Sequence, residues 1–193
     1  GGDAATLETR LRDLVRREFL VVEADPRSPE RGQFAFTQSL IREVAYGTLS
    51  KSDRRALHLT AANHFESADD EELAGVVAAH YVEALEATPA GPDADALASR
   101  ARDWLRRASD RAVSLGSPTQ ALAFAEQALS FTQDGDERRA LLLLAADAAE
   151  DALRPKERER LLREAADLAG STGDRIGEVQ ILLDLLRSIF FTS

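Results

Sequence analysis

From Leu97 onward the chain repeats one pattern: two apolar helical stretches, a break, then two more. Within it, Ser109-x2-Ala112-x3-Gly116-x4-Ala121-x3-Ala125-x2-Ala128-Leu129 places small residues three and four apart, the spacing that keeps side chains on one helix face. Small side chains there let two helices cross closely, whereas large ones hold the backbones apart. The breaks are explicit. Gly116 suits the left-handed position after a helix end, and Ser117-Pro118 restarts a helix with Pro at its first position. Asp134-Gly135-Asp136, Pro155 and Gly170 to Gly173 punctuate the rest. The spacing predicts helices over 97–115, 118–131, 137–153, 156–169 and 174–191. Its period of about 34–40 residues is that of stacked helical hairpins.

The first third reads differently. Leu7, Leu11, Leu14 and Val15 form one apolar stripe on a helix over 5–18. Phe19 to Val22 is a strand candidate, and Gln33 to Thr37 alternates as its return strand, with Phe34 and Phe36 on one face. Ala24 to Gly32 holds two prolines and a glycine and reads as the loop between them. Helices follow over 38–49, 54–66 (with Ser52-Asp53 as its cap) and 71–87, and Thr88-Pro89-Ala90-Gly91-Pro92 ends the last. The expected fold is mainly α: a subdomain with one β-hairpin over 1–66, then helical repeats over 67–193.

Charge narrows the function classes. The chain has 193 residues and a net charge of −10. Residues 1–65 hold 9 acids and 10 bases, so the excess acid lies on the helical repeats. This balance argues against a general nucleic-acid binder. Arg10, Arg12, Arg16, Arg17, Arg27 and Arg31 keep a DNA-binding regulator as the alternative, although Glu8, Asp13, Glu18, Glu23, Asp25 and Glu30 interleave with them. With no Cys, disulfides, thiolate metal sites and a cysteine nucleophile are excluded. No secretory signal and no apolar run of about 20 residues is present, so the expected location is cytoplasmic.

Candidate chemistry is sparse. No Gly-x4-Gly-Lys-Ser/Thr loop surrounds either Lys51 or Lys156, so the chain is expected neither to bind a cofactor nor to hydrolyse ATP. No Ser or Thr sits in a nucleophile-elbow pattern. His58 and His64 are six residues apart and do not converge; His80 and Glu83 share a face; packing or capping is the expected role of all three imidazoles, with no metal bound. Asp69-Asp70-Glu71-Glu72 reads as a solvated helix start. No residue is assigned a catalytic role.

Two resemblances extend this reading. The Ser109 to Leu129 pattern, with Leu105, Leu122 and Phe124 beside it, resembles a degenerate tetratricopeptide repeat, and residues 142–168 repeat its outline. By that register the first helix of the pair presents Asp103, Arg106, Asp110 and Val113 to a protein or peptide partner. Upstream, Leu14-Val15-Arg16-Arg17-Glu18-Phe19-Leu20, Phe34 to Tyr46, Arg54-Arg55 with Leu57-His58 and Ala61-Ala62, and Ala79-His80-Tyr81 form an ordered set. That set is similar to the region following the nucleotide-binding module of bacterial STAND-class signalling ATPases, many of them cyclase- or transcription-linked. The resemblance implies a winged-helix-like subdomain packed on an upstream nucleotide module, and repeats that sense a partner. It implies a nucleotide-sensing position at Gln38, where the family often carries His; Gln donates a hydrogen bond but cannot carry the imidazole's charge.

The ends complete the expectations. The chain starts at Gly1-Gly2 rather than Met, and is read as a piece of a longer protein. The helix over 174–191 is apolar nearly all round, from Ile176 to Phe191, and is expected to be covered by further repeats or by a second copy.

Overall fold

The computed structural model describes residues 4–24, 33–68, 70–133 and 135–191, with side chains from Ala5 to Arg187. It is mainly helical, with one two-stranded antiparallel hairpin. The chain divides into two compact units, residues 1–50 and 51–193.

The first unit holds α1 (Ala4–Arg16), β1 (Leu20–Val22), β2 (Phe34–Phe36) and α2 (Ser39–Gly47). Leu20 pairs with Phe36 and Val22 with Phe34. The Thr37 hydroxyl donates to the Glu18 carbonyl at 2.7 Å, tying the end of β2 to the end of α1. Leu20 is buried, whereas Leu7, Phe19, Val21, Leu40 and Val44 are exposed. The loop expected over 24–32 falls almost wholly outside the described residues, as do Arg27 and Arg31.

The second unit runs α3 (Lys51–Glu66), a 3-10 turn (Glu71–Leu73), α4 (Ala74–Glu86), α5 (Pro92–Ser114), α6 (Pro118–Ser130), α7 (Gly135–Asp151), α8 (Pro155–Thr172) and α9 (Arg175–Phe191). Each helix packs chiefly on the one before it and the one after it. The seams are lined by alanines: Ala62, Ala78, Ala101, Ala121, Ala125, Ala145, Ala149, Ala165 and Ala169 are all inaccessible to solvent. Leu105, Leu122, Leu142 and Leu161 fill the layers between them. The break between the units lies ahead of α3, whereas the sequence pattern put the boundary after residue 66. Ala62, with Leu59 and Phe65 beside it, joins α3 to the core shared with α4.

Several helix ends move from their expected places. Pro92, read as loop, opens α5 five residues before Leu97, with Asp93 and Asp95 in the first turn, where the helix dipole favours carboxylates. Ser52 and Asp53 lie inside the first turn of α3 rather than ahead of it. The predicted helix over 71–87 begins as the 3-10 turn, whose Glu72 N–H donates to Asp70 Oδ1 at 2.9 Å. Asp69 and Asp134 lie outside the described residues.

One closing motif recurs. At Gly116 the backbone is left-handed (φ 69°), and the Ser117 N–H reaches back to the Ala112 carbonyl at 2.8 Å. Gly173 (φ 81°) ends α8 in the same way. Two other helices end so without glycine. Glu18 (φ 62°) closes α1, and Leu153 (φ 55°) closes α7, where the Arg154 N–H bonds the Ala149 carbonyl at 2.8 Å. Both lie at the ends of helices expected to run through them. A left-handed L-residue costs about 1–2 kcal/mol, while glycine's extra backbone entropy costs about 0.5–1 kcal/mol. Leu153 is also 87% exposed, so its side chain contributes little packing. Leu153→Gly is therefore expected to raise stability by roughly 0.5–1 kcal/mol; an unchanged or lower urea midpoint contradicts this account of the turn.

Candidate functional site

The exposed flank of α5 beside the 3-10 turn and the start of α4 carries a groove of about 450 Å³. Trp104, Arg107, Asp110, Arg111 and Ser114 line it from α5, and Asp70, Glu71 and Ala74 line the opposite side. Trp104 is the chain's one tryptophan, and it is half-buried against the core, which holds the indole in place. The Arg107 guanidinium lies 4.6 Å over its ring centroid, a cation–π contact. Arg111 is tied to Glu72 and donates to the Ser114 hydroxyl at 3.2 Å, so the groove's edge is braced from both sides. Asp70, Glu71 and Asp110 are exposed at the rim. The surface thus combines an anchored aromatic wall with charges of both signs.

The residues expected at a partner surface fall as follows. Asp103, Arg106, Asp110 and Val113 are all solvent-facing on α5. Asp110 lines the groove; Asp103, Arg106 and Val113 lie outside its lining. Trp104, Arg107 and Arg111, which form most of the α5 wall, were not among the expected residues. Their signal was in the sequence: spacings of three and four residues put an indole and two guanidiniums on one stripe of a helix.

Gln38, in the first unit, immediately precedes α2 in extended backbone (φ −140°, ψ 136°). Its side chain is exposed and makes no capping bond, while its carbonyl accepts from the Arg42 N–H at 3.3 Å. Near it Leu14, Phe19, Leu20, Phe36, Leu40, Ile41, Val44 and Ala45 surround an apolar hollow of about 550 Å³.

Two polar clusters tie α4 to its neighbours, and neither is visible in the sequence pattern. In the first, the buried Tyr81 hydroxyl donates to Glu66 Oε2 of α3 at 2.6 Å and accepts from Arg100 Nη1 of α5 at 2.8 Å. Arg100 also contacts Glu66 directly and lies 5.2 Å over the Tyr81 ring. Burial, reinforced by the bond to Glu66, pushes the Tyr81 phenol up to about 12. In the second, His58 and His80 meet across α3 and α4 with their Nδ1 atoms 3.0 Å apart. Phe65 stacks on His80 at 5.8 Å, nearly parallel, and His64 abuts Phe65 edge-on. His58 therefore converges with His80, 22 residues on.

Among the described residues, no three or more His, Asp or Glu side chains form a group able to hold a metal. Among the same residues, no helix is long and apolar enough to cross a membrane. Along α9, Ile181 and Leu185 are buried, while Ile176, Val179, Leu182, Leu183 and Leu186 are exposed. Compared with known proteins, the chain matches no family model, no curated protein and no solved structure.

The tyrosine cluster gives a test of how α3, α4 and α5 are joined. Tyr81→Phe deletes one buried hydroxyl and its two bonds, an expected loss of about 1–2 kcal/mol at pH 7. The phenol holds its proton more tightly in the folded chain than at its ordinary value of 10. Its contribution is therefore complete below pH 10 and declines as pH rises toward 12. Urea midpoints from pH 8 to 11 should fall less steeply at the alkaline end for Tyr81→Phe than for the unaltered chain; parallel curves would show that the phenol is not held as described.

Proposed function

We propose that this chain is a protein-interaction region whose helix-pair array takes a protein or peptide segment along the exposed flank of α5. The observation that carries the reading is the groove itself: a fixed indole and an arginine stacked on it along one face of α5, with acidic residues at the rim on both sides. An anchored aromatic is the usual centre of a recognition surface, because it buries much area at little cost in side-chain freedom. Mixed charge around it suits a polypeptide bearing both signs, with electrostatic pairing fixing its register.

On the resemblance to STAND-class signalling ATPases and tetratricopeptide repeats, the chain is a regulatory, cytoplasmic part of a longer multidomain protein, linked to a cyclase or to transcription. In this reading the repeats sense a partner, and the winged-helix-like first part meets an upstream nucleotide-binding module that carries any ATP. A partner that binds one arrangement of those parts more tightly shifts the population toward it. No turnover is assigned to the chain itself, and the nucleotide role of Gln38 belongs to the same proposal.

The test uses the single tryptophan as its reporter. Peptides selected from a displayed random library should perturb Trp104 fluorescence on binding. Asp110→Lys, a change at an exposed position, should weaken them at least about 10-fold, and Trp104→Ala, whose binding is read by calorimetry because it lacks the indole, by more. Selected peptides that bind both variants as well as the unaltered chain would place recognition elsewhere. Tight binding of duplex DNA that falls steeply with added salt, with no peptide selected, would favour the DNA-binding regulator instead.

A further inference from the structure

The pairing of His58 with His80 is absent from the reading above and does not depend on it. Two imidazole nitrogens 3.0 Å apart are at hydrogen-bond distance, and such a bond needs one nitrogen to donate while the other offers its lone pair. At least one ring must therefore be neutral. If both rings are protonated, both nitrogens carry hydrogens, the bond is lost and two positive charges face each other across the seam. The rings cannot both turn away at no cost. Their centroids are 5.2 Å apart, and the His80 ring is stacked on Phe65.

From this geometry we infer that His58 and His80 form a proton-operated latch: the bond between them holds α3 against α4 near neutral pH, and entry of a second proton releases it. The surrounding groups favour this sign. Burial, and then the charge of His58, hold the His80 imidazole below its ordinary value of 6.5, while Glu83 on α4 acts in the opposite direction. From α3, His64 borders the stack through Phe65, and Glu66 is engaged by Tyr81. From α5, the other helix packed on α4, Arg100 is bound to Tyr81 and Glu66. The seam the latch closes is apolar: Leu59 and Phe65 from α3 pack on the core that holds Val77 and Ala78 of α4.

The direction follows from linkage. His80 takes up a proton less readily in the folded chain than in the unfolded one, so the latch's contribution is complete above pH 6.5 and is lost as pH falls below it. This is the pH range in which histidine acts as a switch.

The experiment measures the urea midpoint of the full chain at pH 8, 7, 6 and 5, with His58→Gln and His80→Gln beside it. Glutamine retains a hydrogen-bonding side chain but cannot become charged, and His64 is the same in all three proteins. The midpoint of the unaltered chain should fall between pH 7 and pH 5, and each variant should fall by less than half as much. A second readout needs no variant. In imidazole NMR titrations, His80 should take up its proton below the ordinary range, and its signals should respond to the titration of His58. Variants that track the unaltered chain in parallel, or two histidines that titrate independently in the ordinary range, would overturn the latch.

Discussion

The second unit depends on how closely its helices cross. Successive helices meet on alanines that are shut away from solvent, at Ala62, Ala78, Ala101, Ala121, Ala125, Ala145, Ala149, Ala165 and Ala169. A methyl group at the crossing lets the backbones approach, so the leucines above and below interdigitate instead of propping the helices apart. Gly75 carries the same logic further. A Cβ placed on it would lie 3.2 Å from the Phe124 ring, so the bare backbone of α4 makes room for a side chain of α6. Ser109 fits the pattern too. Small and fully buried, it uses its hydroxyl to reach the Ala121 carbonyl at 3.0 Å, linking α5 to α6.

Close crossings leave the rims of the seams to be joined by long side chains, and arginine does this repeatedly. Arg100 reaches Glu66, Arg102 reaches Glu137, Arg139 reaches Asp174 and Arg160 reaches Glu126, each spanning 34 or 35 residues. These separations match the period of the helical hairpins. The contacts run from α5 to α3 and α7, from α7 to the start of α9, and from α8 to α6. As partly exposed pairs each contributes at most about 1 kcal/mol, so they set register more than they supply stability. Arg102 and Arg138 do more. Arg102 donates to the Phe131 carbonyl, and Arg138 to those of Leu129 and Thr132, which places two cations on the open carbonyls at the end of α6.

The first unit stands in contrast. Its hairpin has three paired positions, and Leu20 alone among its described residues is buried. The apolar faces of α1 and α2 that the periodicity located are present, with Leu40 and Val44 more than 60% exposed. A pattern of apolar residues identifies a helix face without identifying what that face packs against. The same limit applies to α9, where one side is buried by Ile181 and Leu185 and another apolar side is open.

What the sequence determined by itself is therefore local. Helical content, the hairpin and the positions of Gly116, Pro118 and Pro155 follow from periodicity and from the backbone preferences of glycine and proline, which act within a few residues. The exceptions are instructive: Glu18 and Leu153 take up left-handed turns with no local signal, because the next element requires the chain to turn there. In the candidate site, Asp110 was legible as a solvent-facing position on α5, and Trp104, Arg107 and Arg111 were legible as a stripe. That Asp70 and Glu71 stand opposite them was not. Only the tertiary structure decided that groove, the Tyr81 cluster and the meeting of His58 with His80, since each joins residues 15 to 44 positions apart. Such contacts depend on the rotation and register of whole helices, which the alanine seams set and no short sequence window contains.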